Sequence, residues 1–174
     1  MFKKSFLFVF SFFILLSSCD DGDITLQSFN FSEQPIQKCG DNYLLFKVKG
    51  KELLLVQLNE TLYNQAFINE ETGDTPRIIS VSSTTPIIYR MYSGDITLAK
   101  VCSELAPATP TVVNEWKAEA GTIQIESNKI FDENDPSIVV GYTHNITFLN
   151  VNFEGSADSF SFESYIFGDW ETQL

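Results

Sequence analysis

The feature that most constrains the fold of this 174-residue chain is its alternation of short apolar runs with turn signals. After residue 23 no apolar stripe is sustained at helical spacing, whereas runs rich in Ile, Val, Phe, Tyr and Thr recur between polar, Gly- and Pro-containing segments. The predicted strands are 24–31, 43–49, 52–58, 78–82, 87–92, 96–102, 112–118, 121–127, 138–143, 145–153 and 159–167. Roughly ten short strands favour an all-β, antiparallel β-sandwich, with a β-barrel as the alternative.

Three connections suit β-hairpins. Lys49-Gly50-Lys51 joins the second and third predicted strands, 93–95 joins 87–92 to 96–102, and 154–158 joins the last two. Residues 105–111 contain two prolines, which cannot join a central strand, so this segment is predicted to cross between sheets.

The first 18 residues have the three parts of an export signal. Lys3 and Lys4 form a basic start, residues 6–16 are apolar except for one serine, and two small residues follow. The apolar run is about half the length that a membrane-spanning helix needs. We therefore predict that residues 1–18 are a signal peptide, helical and isolated from the folded domain.

Leu16-Ser17-Ser18-Cys19 resembles the lipobox of bacterial lipoproteins at all four positions. The resemblance implies cleavage before Cys19 and attachment of lipid to its thiol, which would tether the mature chain to a membrane. Residues 19–23 would then form a lipidated acidic tether, and residues 24–174 a single β domain.

The tether sequence Asp20-Asp21-Gly22-Asp23 resembles the acidic export signal of Bacteroidota-type lipoproteins. That resemblance implies display on the outer face of the outer membrane, with its periplasmic face as the alternative. The domain is also similar in general pattern to small β-rich lipoproteins of unknown function, mainly in residues 102–116 and in the closing hairpin. This second resemblance implies lineage and fold class but no activity.

The charge balance of the chain restricts the classes of partner that it can bind. Without Lys3 and Lys4 the 11 basic residues become 9 against 23 acidic ones, so the net charge changes from −12 to −14. Such a chain repels phosphate backbones, and we expect no nucleic-acid partner. A carbohydrate or protein ligand stays possible, and we expect a monomer without a cofactor.

The cysteine count fits an oxidising compartment. With Cys19 assigned to lipid, Cys39 and Cys102 are the two that remain, and we predict that they form a disulfide. Two separate buried thiols are the alternative.

No catalytic residue and no metal ligand is predicted. His144 is the only histidine and no G-x-S-x-G motif occurs, so we expect neither a nucleophile–base pair nor a transition-metal site. The acidic segments 132–135 and 70–74 could offer oxygen ligands to calcium, but their spacing does not fit an EF-hand loop. Solvated turns are the favoured interpretation of both.

The C-terminal aromatics allow two interpretations. An exposed aromatic face would suit sugar stacking, whereas alternation along a strand, as at Phe160 and Phe162, favours the core. Trp170 is the aromatic expected to be exposed. The aromatics concerned are Phe148, Phe153, Phe160, Phe162, Tyr165, Phe167 and Trp170.

Two functions follow from these observations. A non-catalytic binding or interaction module is favoured, and a small secreted hydrolase such as a glycoside hydrolase is the alternative. The sequence distinguishes no carboxylate pair that would carry the second function.

Overall fold

The computed structural model describes residues 29–40, 42–103, 105, 108–156 and 158–174. The predicted signal peptide, Cys19 and the acidic tether lie outside these residues. The strands are β1 (Gln37–Lys38), β2 (Leu44–Lys49), β3 (Glu52–Gln57), β4 (Arg77–Ser80), β5 (Ile87–Tyr92), β6 (Val112–Ala118), β7 (Thr122–Phe131), β8 (Val139–Gly155) and β9 (Ser159–Gln173). The helices are α1 (Glu60–Ala66) and α2 (Leu98–Val101). Neither of these two described helices is long and apolar enough to cross a bilayer.

The strands pair antiparallel in the order β1-β2-β3-β5-β6-β8-β7-β4, with β9 on β8 outside that path. Strand β8 pairs with β7 through residues 139–149 and meets β6 only at Glu154 and Gly155. The sheet therefore has two halves, β1-β2-β3-β5-β6 and β4-β7-β8-β9, joined at that short contact. It is not closed into a barrel, so the all-β, sandwich-like prediction is confirmed and the barrel alternative is wrong.

A single core cluster takes side chains from both halves. Burial of these apolar groups is the dominant favourable contribution to folding. From the first half it includes Leu45, Leu54, Val56, Tyr89 and Trp116, and from the second Ile79, Ile123, Ile125, Ile146, Phe148 and Phe167. The inward interpretation of the C-terminal aromatics is thereby confirmed.

The N-terminal segment enters this core without forming a strand. Residues 24–28 of the predicted first strand lie outside the described residues, and residues 29–31 carry no strand pairing. The Phe31 N–H donates to the Tyr165 hydroxyl at 3.2 Å, and the Phe31 carbonyl accepts from Lys47 Nζ at 3.1 Å. Because side chains satisfy this backbone, the segment needs no neighbouring strand, and both Phe29 and Phe31 are buried.

The outer face of the first half has a smaller core of its own. Phe46, Leu53, Leu55 and Ile88 are buried there, and Val101 at the end of α2 packs against them. Cys39 and Cys102 form the predicted disulfide, with Cα atoms 5.3 Å apart. The bridge ties the end of α2 to the end of β1.

The predicted strand 96–102 is wrong, because residues 98–101 form α2. The hairpin predicted at 93–95 is wrong for the same reason, since β5 pairs with β6 instead. The crossover between sheets predicted at 105–111 is also wrong, because β5 and β6 are paired neighbours in one sheet. The described residues 105 and 108–111 therefore belong to a loop that joins neighbouring strands, and Pro107 lies outside the described residues.

Helix α1 was not predicted. Asn59 caps it, its side-chain oxygen accepting from the Leu62 N–H at 2.9 Å. Seven residues give too few turns for a helical period, and only Leu62, Tyr63 and Ala66 reach the core.

The C-terminal half has longer strands than predicted. Segments 138–143 and 145–153 are one strand, β8, and β9 continues past residue 167 to Gln173. Trp170 therefore lies within β9, is half-buried, and donates its indole N–H to the Tyr63 hydroxyl at 3.1 Å. The expectation that Trp170 is exposed is wrong.

Candidate functional site

The single histidine of the sequence, His144, is hydrogen-bonded to a serine that the sequence did not single out. Strands β7 and β8 place Ser127 opposite His144, and the Ser127 Oγ lies 2.6 Å from His144 Nδ1. Ser127 is 1% exposed and His144 is 0% exposed. The sequence could not indicate this pair, because the serine and the histidine come from different strands and neither lies in a motif.

The pair belongs to a longer chain of hydrogen bonds. Arg77 Nη1 donates to Ser127 Oγ at 2.7 Å, His144 Nε2 lies 3.0 Å from Thr172 Oγ1, and that hydroxyl donates to Asn69 Oδ1 at 2.8 Å. Because the Thr172 hydroxyl gives its proton to the Asn69 amide oxygen, it accepts from the Nε2–H of His144. We therefore assign the imidazole proton to Nε2, so that in the neutral ring Nδ1 accepts from the Ser127 hydroxyl.

Burial and, to a smaller extent, the positive charge of Arg77 lower the pKa of His144 from its ordinary value of 6.5 to about 4. The imidazole is therefore neutral at physiological pH, but the pair is closed to solvent. Among the described residues the chain of hydrogen bonds includes no carboxylate, and Arg77 also donates to the carbonyls of Ala66 and Glu70. This geometry holds α1, β4, β7, β8 and β9 together and leaves no access for a substrate.

A pocket of about 420 Å³ lies on the outer face of the first half of the sheet. Its floor is formed by Leu44, Leu53 and Leu55 of β2 and β3, and Ile96 and Val101 line it beside α2. This volume lies within the range of about 300–1,000 Å³ in which small-molecule sites fall. The remaining described lining residues are Arg90, Tyr92, Lys100, Ser103, Pro110, Thr111 and Val112.

The pocket exists because β3 is apolar on both faces. Leu54 and Val56 point into the main core, so Leu53 and Leu55 alternate to the opposite face. A continuous apolar run of this kind indicates a strand covered on both sides. The apolar run 53–56 was the sequence signal that both faces of β3 are covered. The outer face is covered by α2 and by the described residues of the loop between β5 and β6.

The charged groups of the pocket come from β5 and α2. Arg90 Nε donates to Glu115 Oε2 at 2.5 Å. Burial alone would lower the pKa of Arg90, but the contact with Glu115 outweighs it and the pKa is raised. Lys100 is contributed by α2. Of the described residues that line the pocket, two are basic and none is acidic.

The acidic segment 132–135 forms a turn, as the favoured interpretation predicts. Asp132 Oδ1 accepts from the N–H groups of Asn134 at 2.8 Å and Asp135 at 3.1 Å, and Asp135 Oδ1 accepts from Ser137. Within the described ranges no three His, Cys, Asp or Glu side chains are grouped to hold a metal ion.

Comparison with known proteins gives no relative. No family model matches the chain, and neither a curated protein nor a solved structure matches it. The candidate function therefore depends on the geometry of the outer pocket and of the buried chain of hydrogen bonds.

Proposed function

We propose that this protein is a lipid-anchored, non-catalytic binding module that holds a small ligand in the outer pocket. The observation that carries the proposal is the pocket itself: about 420 Å³, floored by leucines and bordered by basic and hydroxyl side chains. Apolar walls with a few placed polar groups are typical of ligand sites.

The lipobox-like Leu16-Ser17-Ser18-Cys19 supports the anchor, and the three aspartates behind it support a place at the outer face of the outer membrane. The first described residue, Phe29, already lies in the core. Only residues 20–28 would therefore separate the lipid from the folded domain.

The hydrolase alternative is less well supported. Ser127 and His144 are shielded from solvent, and the serine hydroxyl is held between Arg77 and the imidazole. A nucleophile must reach a substrate, and a third group usually orients its base. A catalytic triad has its serine on Nε2 of the histidine and its carboxylate on Nδ1, whereas here Ser127 lies on Nδ1 and the hydroxyl of Thr172 on Nε2.

The proposal is tested by filling the pocket. Val112 lines it and is 46% exposed, so Val112→Trp should fill the space without disturbing a buried core. The matched control is Val113→Trp, one residue along β6, because Val113 is 60% exposed and does not line the pocket.

The probe is N-phenyl-1-naphthylamine, a neutral dye that fluoresces in apolar sites. We expect saturable binding to the wild-type domain and to Val113→Trp, and loss of binding in Val112→Trp. No saturable binding to the wild type, or equal binding to both variants, would refute the pocket as a ligand site.

A further inference from the structure

We propose that the outer pocket binds an amphipathic carboxylate, its apolar body on the leucine floor and its carboxylate between Arg90 and Lys100. This inference rests on the proposed function, because it names the ligand class of the same pocket.

The size of the pocket bounds the ligand. A water molecule occupies about 30 Å³ of liquid, so a volume of about 420 Å³ accommodates roughly a dozen non-hydrogen atoms. An unbranched carboxylate of about ten carbons has that size.

The walls favour a hydrocarbon body. Leu44, Leu53 and Leu55 form a continuous floor across two paired strands, and Ile96 and Val101 face it from the α2 side. Removal of apolar surface from water is favourable in proportion to the area covered. A neutral sugar would find three lining hydroxyls, those of Tyr92, Ser103 and Thr111, and a floor without polar groups.

The charge of the lining favours an anionic head group. The chain carries a net charge of −12, yet the described lining holds two basic side chains and no acidic one. A guanidinium has five N–H donors, and the hydrogen bond from Arg90 to Glu115 uses the one on Nε. Arg90 also hydrogen-bonds to the Tyr92 side chain, so Glu115 and Tyr92 orient the guanidinium without occupying all five of its donors. Lys100 adds a second positive charge.

The experiment compares decanoate with 1-decanol, which has the same hydrocarbon body without the charge. Isothermal titration calorimetry on the folded, disulfide-intact domain should give decanoate at least about tenfold tighter binding, as expected of a charge-assisted hydrogen bond. Lys100→Gln should weaken decanoate about fivefold and leave 1-decanol unchanged. The control is Lys117→Gln, which removes a lysine paired with Glu119 and outside this pocket.

A second variant tests Arg90 without removing it. Glu115→Gln abolishes the charge that competes for the guanidinium, so decanoate should bind more tightly and 1-decanol should not change. Binding of 1-decanol also shows that each variant is folded.

The outcomes separate the two proposals. Equal affinity for decanoate and 1-decanol, or unchanged decanoate affinity in Lys100→Gln, would refute the anionic ligand while the apolar pocket stands. If neither compound binds the wild-type domain, the inference fails, and absent dye binding as well would mean that the proposed function fails.

Discussion

His144 shows how a single buried side chain can make stability depend on pH. Every polar atom of its imidazole has a partner, and in the neutral form the Nδ1 lone pair accepts from the serine hydroxyl. Protonation would place a second donor against that hydroxyl and a positive charge beside Arg77, in a site that is shielded from solvent. The folded state therefore resists protonation more strongly than the unfolded chain does.

We predict that stability falls as the pH falls from about 7 to 5. The pKa of His144 is about 4 in the folded protein against an ordinary value of 6.5, so within this window the unfolded chain binds the extra proton. Stability is then fully present above about pH 6.5 and decreases by about 1.4 kcal/mol per pH unit, or about 2 kcal/mol between pH 7 and 5. Urea denaturation at fixed pH values measures it.

The control for this prediction is His144→Gln, which cannot titrate and should show a flat profile in the same window. The hydrogen bonds that lower the carboxyl pKa values of Glu71 and Asp135 affect stability at lower pH, because both groups ordinarily titrate at or below 4.5. If the variant does not fold, an NMR titration of the single histidine suffices. An imidazole that titrates near pH 6.5 in the folded protein would contradict the argument.

The two halves of the sheet meet at one crowded contact. Trp116 of β6 lies opposite Gly155 at the end of β8, and its indole N–H donates to Asp158 Oδ1 at 2.6 Å. A Cβ on Gly155 would lie 2.5 Å from two atoms of the indole ring. The glycine is needed there because the tryptophan occupies the space of a side chain.

We predict that Gly155→Ala lowers the free energy of unfolding by about 1–3 kcal/mol, the usual cost of overpacking. Gly94→Ala is the matched control, because a Cβ there would meet nothing closer than Pro110 at 3.7 Å. It should change stability by about 0.5 kcal/mol or less. Chemical denaturation of both variants measures the two changes in the free energy of unfolding. Equal changes would show that the indole ring of Trp116 can move aside.

The disulfide holds the element that covers the pocket. Helix α2 has 4 residues, too few to be stable alone, and Cys102 follows directly after it. Since the bridge closes a loop with a sequence separation of 63, its removal should cost about 4 kcal/mol in the chain-entropy model.

We predict that the double variant Cys39→Ser, Cys102→Ser unfolds at lower denaturant and binds the naphthylamine dye more weakly than the wild type. The loss of dye binding should appear below the unfolding transition, because α2 detaches before the sheet unfolds. Hydrogen exchange at the Val101 and Cys102 amides is the direct measurement. Unchanged protection there would show that packing alone holds the helix.

Strand positions could be read from the sequence where turn signals bound them. β5 and β6 occupy the predicted residues 87–92 and 112–118, and the first hairpin turns at Gly50. Residues 98–101 could not be assigned from the local sequence, because a short apolar run is compatible with either a strand or a helix. Packing against Leu53 and Leu55 determines that this run is a helix. The pairing of Cys39 with Cys102 was predicted correctly, although from two strands where the structure has a strand and a helix.

The candidate site could not be predicted from the sequence, for a related reason. Ser127 is 17 residues from His144, and Thr172 is 28 residues from it, so only the register of β7, β8 and β9 brings them together. The outer pocket likewise forms only because α2 and the rest of the loop between β5 and β6 lie over β3. Such contacts depend on tertiary folding, whereas the calcium-like segment 132–135 could be judged from its spacing alone.

At the scale of the whole molecule, the apolar N-terminal segment suits a membrane, whereas the acidic domain suits water. We predict that the mature protein begins at Cys19 and carries lipid there. Intact-mass measurement after expression with the signal should give the mass of residues 19–174 plus the lipid. Cys19→Ala should release the domain from the membrane fraction, whereas a mature protein beginning elsewhere would contradict the anchor.

The last prediction concerns the side of the membrane on which the domain lies. Asp20, Asp21 and Asp23 lie within four residues after Cys19, in a pattern that resembles a surface export signal, so we expect display outside the cell. Protease added to intact cells should then digest the domain, and replacing Asp20, Asp21 and Asp23 together by Asn should protect it while leaving it in the membrane fraction. The matched control is the triple variant Asp74→Asn, Glu133→Gln, Glu163→Gln, which removes the same charge from exposed positions of the folded domain and should not alter digestion. A wild-type domain that survives on intact cells, but is cleaved once the outer membrane is opened, would place it on the periplasmic face.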